Sequence, residues 1–155
     1  MTENVLEARQ VRKAYRGHQV LRGVDLAVRP GQLVAVVGEN GAGKSTLLKI
    51  LSGTLAADGG EVRLGGRLGY CPQDPVLNDS LTVAQHLRYF AAARRLPGLD
   101  RAEELVSRLG YEEARGQVAG ELSGGTRQKL NLTLALLHDP GVLLLDPGVL
   151  LLDEP

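Results

Sequence analysis

The fold of this 155-residue chain is decided by the stretch Gly38-Glu39-Asn40-Gly41-Ala42-Gly43-Lys44-Ser45. The stretch fits the pattern G-x-x-x-x-G-K-[ST], in which small residues let main-chain N–H groups surround phosphate oxygens. In such a loop the lysine, here Lys44, reaches the outer phosphates of a nucleotide, and the hydroxyl that follows, here Ser45, ligates Mg²⁺. We therefore predict a nucleotide-binding segment that runs from Gly38 to Thr46.

The residues that flank this loop predict a strand before it and a helix after it. Leu33 to Val37 is apolar without alternation, which is typical of a strand covered on both faces of a parallel sheet. After the loop, Leu47, Leu48 and Leu51 follow helical spacing, and Gly53 is suited to end the helix with a positive φ. A helix that begins at the loop directs its positive end toward phosphate. This order predicts an α/β fold of the P-loop NTPase kind.

The rest of the chain divides by its hydrophobic spacing into short strands, a helical middle third and an apolar end. Strands are predicted at Val24–Arg29, near Glu61–Leu64 and at Leu68–Cys71. Helices are predicted at Val83–Arg95, at Arg101–Leu109 and from Ser123 to about His138. We expect Asp100 and Glu103 to form a capping box at the start of the second of these helices.

Charge and cysteine content narrow the classes of function. Eighteen basic and eighteen acidic residues give a formal net charge of zero, so the chain lacks the strong field that nucleic-acid and anionic-membrane binders carry. The one cysteine, Cys71, cannot form an internal disulfide, and the first residues lack the basic and apolar regions of a secretory signal. The window Leu132–Leu152 contains prolines and aspartates, which exclude a transmembrane helix. We therefore expect a cytoplasmic protein that does not bind nucleic acid.

The end of the chain repeats seven residues in tandem, since Asp139–Leu145 and Asp146–Leu152 both read DPGVLLL. The repeat allows two registers for the last strand. If the Val-Leu-Leu-Leu of the first copy enters the sheet, Asp146 follows the strand and is itself followed by Pro147, which cannot accept a proton or orient water. If that of the second copy enters, Asp153 and Glu154 follow instead. A local hairpin with a type II turn at residues 146–149 is the third alternative, and the sequence alone leaves the three open.

Three further segments complete a pattern with the glycine loop: Leu122-Ser123-Gly124-Gly125 at a predicted helix start, Gln73 after a predicted strand, and the final LLLDEP. With them, nearly the whole chain resembles the ATP-binding cassette (ABC) ATPases, because the segments are similar to that family's signature segment, glutamine loop and second acidic motif. The resemblance implies a mixed or parallel core sheet with helices on both faces, an N-terminal antiparallel β subdomain and a helical insert. It implies one nucleotide-binding domain, 1–155, made of a β subdomain and loop core (1–73), the insert (74–121), and the signature helix with the acidic strand (122–155).

The resemblance also implies roles for individual residues. ATP and Mg²⁺ are the implied cofactors. The resemblance implies that Tyr15 stacks on adenine. The other implied nucleotide-binding residues are Gly38, Glu39, Asn40, Gly41, Ala42, Gly43, Lys44, Ser45, Thr46, Ser123, Gly124 and Gly125. Ser123 would contact ATP held by Lys44 of a second cassette. Ser45, Gln73 and Asp153 would hold Mg²⁺, while Gln73 and Glu154 would act in catalysis, with Glu154 polarising the attacking water.

Two departures from the family pattern qualify the functional prediction. Thr126 stands where glutamine is usual after Ser-Gly-Gly, and no residue follows Pro155 to supply the family's aspartate-containing loop, switch histidine and remaining core strands. We therefore expect an N-terminal fragment of an ABC ATPase. Its predicted function is that of the ATP-binding and ATP-hydrolysing subunit of a membrane transporter, peripheral on the inner face of the cell membrane. The implied partners are permease subunits and a second nucleotide-binding domain in a homo- or heterodimer. The alternatives are a non-enzymatic fragment that binds nucleotide or a partner without turnover, and a soluble ABC protein outside transport.

Overall fold

The computed structural model describes residues 3–32, 34–39 and 41–146 of the chain. The chain divides into two compact units, Met1–Leu68 and Gly69–Pro155. The first unit carries the glycine loop, and the second carries the Ser-Gly-Gly segment and the repeat. Within the described ranges, no helix is both long and apolar enough to cross a membrane.

The first unit is built on a three-stranded antiparallel sheet. Its strands are β1 (Leu6–Tyr15), β2 (His18–Val28) and β3 (Gly59–Leu64), in the order β2-β1-β3. β1 and β2 form a hairpin in which Tyr15 pairs with His18, and the two residues between them, Arg16 and Gly17, have φ values of 48° and 82°. Positive φ at both central residues is the geometry of a type I′ turn, whose twist matches that of the paired strands.

β1 is a strand that the sequence analysis did not predict, and β2 begins at His18 rather than at Val24. Leu6, Ala8 and Val11 of β1 are buried, at a spacing of two residues and then three. The pairing with β2 shifts between Ala8 and Val11, and Gln10 has a φ of 49°. Because a bulge adds a residue to the strand, it interrupts the period of two by which strands are predicted from sequence.

α1 (Lys44–Leu51) begins directly after the glycine loop, as predicted. Its buried side chains are those of Leu47, Ile50 and Leu51. The helix ends at the C-cap Ser52, and Gly53 follows with a φ of 80°. The positive φ that was predicted for Gly53 is confirmed.

The predicted buried strand at Leu33–Val37 is wrong for residues 34–37, and Leu33 lies outside the described residues. Val34, Val36 and Val37 have exposed fractions of 36%, 39% and 90%. A strand of a parallel sheet needs neighbouring strands to bond its N–H and C=O groups. In the described part of the first unit, β1 pairs with β2 and with β3, and none of these strands pairs with residues 34–37. The apolar composition is that of a strand, but none of the described strands supplies the hydrogen-bonding partners.

The described residues of the second unit form two strands and three α-helices around one apolar core. The elements are β4 (Leu68–Cys71), α2 (Val83–Ala93), α3 (Asp100–Leu109), α4 (Gly124–Leu136) and β5 (Val142–Leu145). Two single-turn 3₁₀ helices, Glu112–Ala114 and Ala119–Glu121, connect α3 to α4. Deeply buried core side chains come from all three helices and include those of Val83, Leu87, Val106 and Leu130. The three predicted helices are therefore confirmed, with ends that differ by a few residues.

The capping box is found at α2 and not at α3, where it was predicted. Asp100 is already helical, and the N-cap of α3 is Leu99, whose side chain offers no cap. At α2, the N–H of Gln85 donates to Thr82 Oγ1 at 3.1 Å, and the N–H of Thr82 donates to Gln85 Oε1 at 2.8 Å. The prediction placed the helix start one residue too late, so Asp100 fell on the N-cap position of the pattern.

β4 and β5 form a two-stranded sheet. A Cβ at Gly69 would lie 3.2 Å from Leu143 Cδ1, and the N–H of Asp146 donates to Cys71 O at 2.9 Å. Gly69, the earlier residue of β4, thus lies near Leu143 of β5, and Cys71, the later residue of β4, bonds to Asp146, which directly follows β5. The two strands are therefore parallel. β5 therefore comes from the first copy of the repeat, and the second copy and the proposed hairpin at residues 146–149 include residues outside the described ranges.

Candidate functional site

The glycine loop is exposed at Gly38, Glu39, Gly41 and Ala42, and it turns tightly before α1. Gly41 and Gly43 have φ values of 86° and 97°, and the N–H of Ala42 donates to Glu39 O at 3.1 Å. A Cβ at Gly43 would lie only 2.8 Å from Val20 Cγ1 and 3.0 Å from Leu21 Cδ2, both on β2. The missing side chain at Gly43 is therefore what lets the start of α1 pack against β2.

The first turn of α1 has donors without side-chain partners. Gly43 is the N-cap residue, no side chain caps the helix, and its first turn contains no acidic residue. The first N–H groups of a helix have no carbonyl partner within the helix, and they lie at the positive end of its dipole. The N–H groups of Lys44, Ser45 and Thr46 therefore form a main-chain site that favours an anion.

Lys44 folds back over the loop. Its ammonium group donates to the carbonyl oxygen of Gly38 and, at 3.1 Å, to that of Glu39. A phosphate would offer the same ammonium a charged acceptor, which adds the attraction of opposite charges to the hydrogen bond. The present position of Lys44 keeps its charge beside the loop, within reach of an anion bound there.

Tyr15, the residue predicted to stack on adenine, is the last residue of β1. Its side chain is 45% exposed, and Lys13 Nζ lies 5.5 Å from the centre of its ring. Exposed aromatic rings offer a face on which a nucleic-acid base can stack. Tyr15 is thus accessible to a base, and its contact with adenine stays a prediction.

Ser123 caps α4 and leaves the two glycines beside it open. Its Oγ accepts a hydrogen bond from the N–H of Thr126 at 3.2 Å and lies 2.9 Å from Thr126 Oγ1. A Cβ at Gly124 or Gly125 would meet nothing within 4 Å. Thr126, the departure from the family pattern, therefore joins the cap through its hydroxyl, and the start of α4 presents exposed main chain.

Arg127 joins this end of α4 by hydrogen bonds to the segment before α2 and to the second 3₁₀ helix. Its Nη1 donates to Asp79 Oδ1 at 2.9 Å and to Ala119 O at 2.7 Å. The carbonyl of Asp79 in turn accepts the N–H of Gly120 at 3.1 Å. The role of Arg127 was not predicted, because a pairing between residues far apart in the chain leaves no local pattern in the sequence.

Gln73 is exposed, and its main chain contacts α4. Gln128 Nε2 donates to Gln73 O at 2.8 Å, and Asn131 Nδ2 donates to Pro72 O at 2.8 Å. Asn131 is only 6% exposed. Neither amide was predicted to make these contacts, although an asparagine next to Leu130 on an otherwise apolar helix face is a signal that points to Asn131.

A cavity of about 230 Å³ lies beside these amide contacts and is lined in part by Tyr70, Pro72, Phe90 and Asn131. The Tyr70 hydroxyl has no hydrogen-bond partner among the described residues. Burial, together with the negative charge of Asp146, raises the pKa of Tyr70. Burial also raises the pKa of the Cys71 thiol to about 11. Both side chains are therefore uncharged at neutral pH.

The structure does not describe every residue of the predicted site, and those outside the described ranges include one loop residue and two acidic residues. Asp146 lies directly after β5, whereas Asn40, Asp153 and Glu154 lie outside the described residues. Across residues 3–32, 34–39 and 41–146, no group of three or more His, Cys, Asp or Glu side chains could hold a metal ion. Lys44, Ser45 and Tyr15 belong to the first unit, and Gln73, Ser123 and Asp146 belong to the second.

Comparison with known proteins gives the family. Residues 21–155 match the family described as ABC transporter. The chain therefore belongs to the ABC transporter family, and its fold is that of the family's ATPase domain. The predicted P-loop NTPase fold class is confirmed.

Individual relatives are similar over most of this chain. ATP-binding cassette sub-family A member 7 of Mus musculus is 34% identical in an alignment 157 positions long, gaps included, which takes in 90% of this chain and 7% of the mouse protein. The lipoprotein-releasing system ATP-binding protein LolD of Porphyromonas gingivalis is 33% identical in an alignment 159 positions long, gaps included, which takes in 90% of this chain and 73% of LolD. A solved structure described as the ATP binding subunit of an ABC transporter has a TM-score of 0.83 and 29% identity, and the match covers 92% of this chain and 65% of that one.

Proposed function

We propose that this chain binds ATP together with Mg²⁺ through its glycine loop. The observation that carries the proposal is the start of α1, where Gly43 caps the helix without a side chain and no acidic residue stands in the first turn. Aligned N–H donors, a positive helix end and the nearby Lys44 ammonium match the charge of a polyphosphate. Ser45 would add its hydroxyl to Mg²⁺, and the exposed ring of Tyr15 would hold the base.

Calorimetric titration with ATP and Mg²⁺ tests the proposal. Lys44→Ala should weaken binding by about tenfold or more, the effect of ~1.4 kcal/mol. Lys49→Ala is the matched control, because Lys49 is exposed in the last turn of the same helix and its loss changes the net charge equally. This control should bind like the unchanged protein. Equal weakening by both variants, or no heat with the unchanged protein, would refute the site.

We propose further that ATP binding serves transport across a membrane. Membership of the ABC transporter family supports this role, as do the names of the relatives, which include an ATP-binding protein of a releasing system and an ATP binding subunit. In this role the chain would act on the inner face of the cell membrane with permease subunits. Two nucleotide-binding domains would meet head to tail, with Ser123 and the glycines after it contacting ATP held by Lys44 of the other domain.

Ser123→Asp separates the role of Ser123 in a dimer from its role as a helix cap. Aspartate is also a good N-cap residue, so the start of α4 should be preserved. The added charge would repel ATP phosphates presented by a second domain. We expect unchanged ATP binding by the monomer and loss of ATP-driven dimerisation in sedimentation experiments. Loss of ATP binding by the monomer would contradict the assignment.

The register of β5 favours a second candidate, which is nucleotide binding without turnover. β5 consists of Val142–Leu145, so the residue after the strand is Asp146 and the next in sequence is Pro147. Asp146 could accept a hydrogen bond from a metal-bound water, but Pro147 offers no group to polarise the attacking water. Hydrolysis of ATP, the function of the family, would instead require Asp153 to hold Mg²⁺ and Glu154 to polarise the attacking water, with Gln73 beside the metal.

Phosphate release separates the two candidates. If the chain hydrolyses ATP, Glu154→Gln should abolish phosphate release and preserve ATP binding. If it only binds ATP, the unchanged protein should release no more phosphate than Lys44→Ala does. In that case Pro147→Glu, which restores an acidic residue after Asp146, is the variant expected to gain turnover.

A further inference from the structure

Two side-chain amides of α4 hold consecutive carbonyl groups of the segment that follows β4. Gln128 Nε2 lies 2.8 Å from Gln73 O, and Asn131 Nδ2 lies 2.8 Å from Pro72 O. Carbonyl oxygens only accept hydrogen bonds, so each amide must present its NH₂ group. Residues three apart lie on the same side of a helix, which is why one face of α4 can serve both carbonyls.

The two amides also bond to each other. Asn131 Nδ2 lies 3.4 Å from Gln128 Oε1. An NH₂ group has two hydrogens, so that of Asn131 can serve both Pro72 O and Gln128 Oε1. Because Gln128 Oε1 then faces Asn131, its Nε2 faces Gln73. Asn131 therefore sets the orientation in which Gln128 donates.

Burial indicates that Asn131 is present for these bonds. The side chain is 6% exposed and lies between Leu130 and Leu134 along the helix, which are 0% and 6% exposed. An apolar side chain would satisfy packing there, whereas a buried amide is costly unless its hydrogen bonds are made. The helix that carries the amides is itself held at its first turn by the bonds of Arg127 to Asp79 and Ala119.

We propose that Gln128 and Asn131 are positioning residues, which hold the main chain of Pro72 and Gln73 against α4 and thereby place the Gln73 side chain for its role beside Mg²⁺. The role of Gln73 rests on the proposed function. We call the two hydrogen bonds from Gln128 and Asn131 to the carbonyl groups of Gln73 and Pro72 the hold. The hold joins α4 to the segment after β4, and it can be measured without nucleotide. Through it, α4, the helix that Ser123 caps, sets the position of Gln73.

Isosteric substitutions remove the donors and leave the packing. Gln128→Glu and Asn131→Asp replace each NH₂ group by an oxygen, while Gln128→Lys keeps a donor at the same helix position. We expect the Mg²⁺ concentration for half-maximal tightening of ATP binding to rise about fivefold in the Glu and Asp variants, equivalent to ~1 kcal/mol. Gln128→Lys should stay near the unchanged protein. ATP binding without Mg²⁺ should be the same in all of them.

Thr133→Val is the control for a purely structural effect. Thr133 lies on the same helix, and its Oγ1 lies 2.6 Å from the Tyr111 hydroxyl and donates to Lys129 O at 2.8 Å. The variant should lower the melting temperature and leave the Mg²⁺ dependence unchanged. An equal rise in the Mg²⁺ requirement for Thr133→Val would overturn the positioning role, because general destabilisation would then explain it.

Hydrogen exchange in the nucleotide-free chain tests the hold separately from ATP binding. Peptides that cover residues 72–78 should exchange faster in Gln128→Glu and Asn131→Asp, and at the original rate in Gln128→Lys. Unchanged exchange in the Glu and Asp variants would overturn the inference. If exchange accelerates as expected but the unchanged protein binds no ATP, the hold is supported and the proposed function is the part that fails.

Discussion

Gly43 stands where the glycine loop becomes α1, and a methyl group added there would meet β2. Its φ is 97°, and the added Cβ of Gly43→Ala would lie 2.8 Å from Val20 Cγ1, 3.0 Å from Leu21 Cδ2 and 3.3 Å from Val20 O. Two costs therefore combine at this residue, namely left-handed backbone strain and steric overlap. Each can be assigned a size.

The backbone cost of a left-handed alanine is roughly 1–2 kcal/mol. Overlap with a packed neighbour typically costs ~1–3 kcal/mol, since side chains or backbone must move. Gly41 separates the two costs, because its φ is 86° but an added Cβ would meet nothing within 4 Å. Gly41→Ala should therefore lower the free energy of unfolding by the strain alone, and Gly43→Ala by strain and overlap together.

Urea denaturation followed by circular dichroism measures both variants. We expect Gly43→Ala to be less stable than Gly41→Ala by ~1–3 kcal/mol. The double variant Gly43→Ala with Val20→Ala should show favourable coupling, because the nearest overlapping methyl is removed. Equal stability of the two single variants, or no coupling in the double variant, would refute the packing of the loop against β2.

Three other features of the second unit give separate predictions. Because burial raises the pKa of Cys71 from 9.0 to about 11, iodoacetamide should alkylate the native thiol at pH 8.5 tens of times more slowly than the unfolded one, roughly in proportion to thiolate content. The unfolded thiol loses its proton first as the pH rises, so the unfolding free energy should hold below pH 9.0 and fall toward pH 11, and Cys71→Ala should lack this fall. Thr82→Ala should cost ~1 kcal/mol in urea denaturation by removing the capping box of α2, and an unchanged midpoint would contradict the cap. Tyr111→Phe should cost about 1 kcal/mol through the lost bond to Thr133, and an unchanged melting temperature would show that this bond adds no stability.

The helices were predictable because their patterns are local. The spacing of Leu47 and Leu51 and the glycine after the helix were enough to place α1, and similar spacing gave α2, α3 and α4 within a few residues. Features that depend on distant partners were not predictable. The bulge at Gln10 obscured β1, and no strand in the described part of the chain pairs with the apolar run at residues 34–37.

The candidate site divides in the same way. The glycine loop and the cap at Ser123 were visible in the sequence because their chemistry lies in consecutive residues. The contacts of Arg127, Gln128 and Asn131 join α4 to residues far away in the chain, so only the folded structure brings them together. The choice of the first repeat for β5 was equally open, since both copies have the same residues.

We propose that the main-chain N–H groups at the start of α1 bind the phosphates of ATP. Nuclear magnetic resonance of the ¹⁵N-labelled chain observes each of these groups separately. Addition of ATP and Mg²⁺ should shift the amide signals of Gly43, Lys44, Ser45 and Thr46, and addition of adenosine, which has no phosphate, should leave them in place. If adenosine causes the same shifts, or if bound ATP leaves these four amides unmoved, the phosphates are not held by this loop.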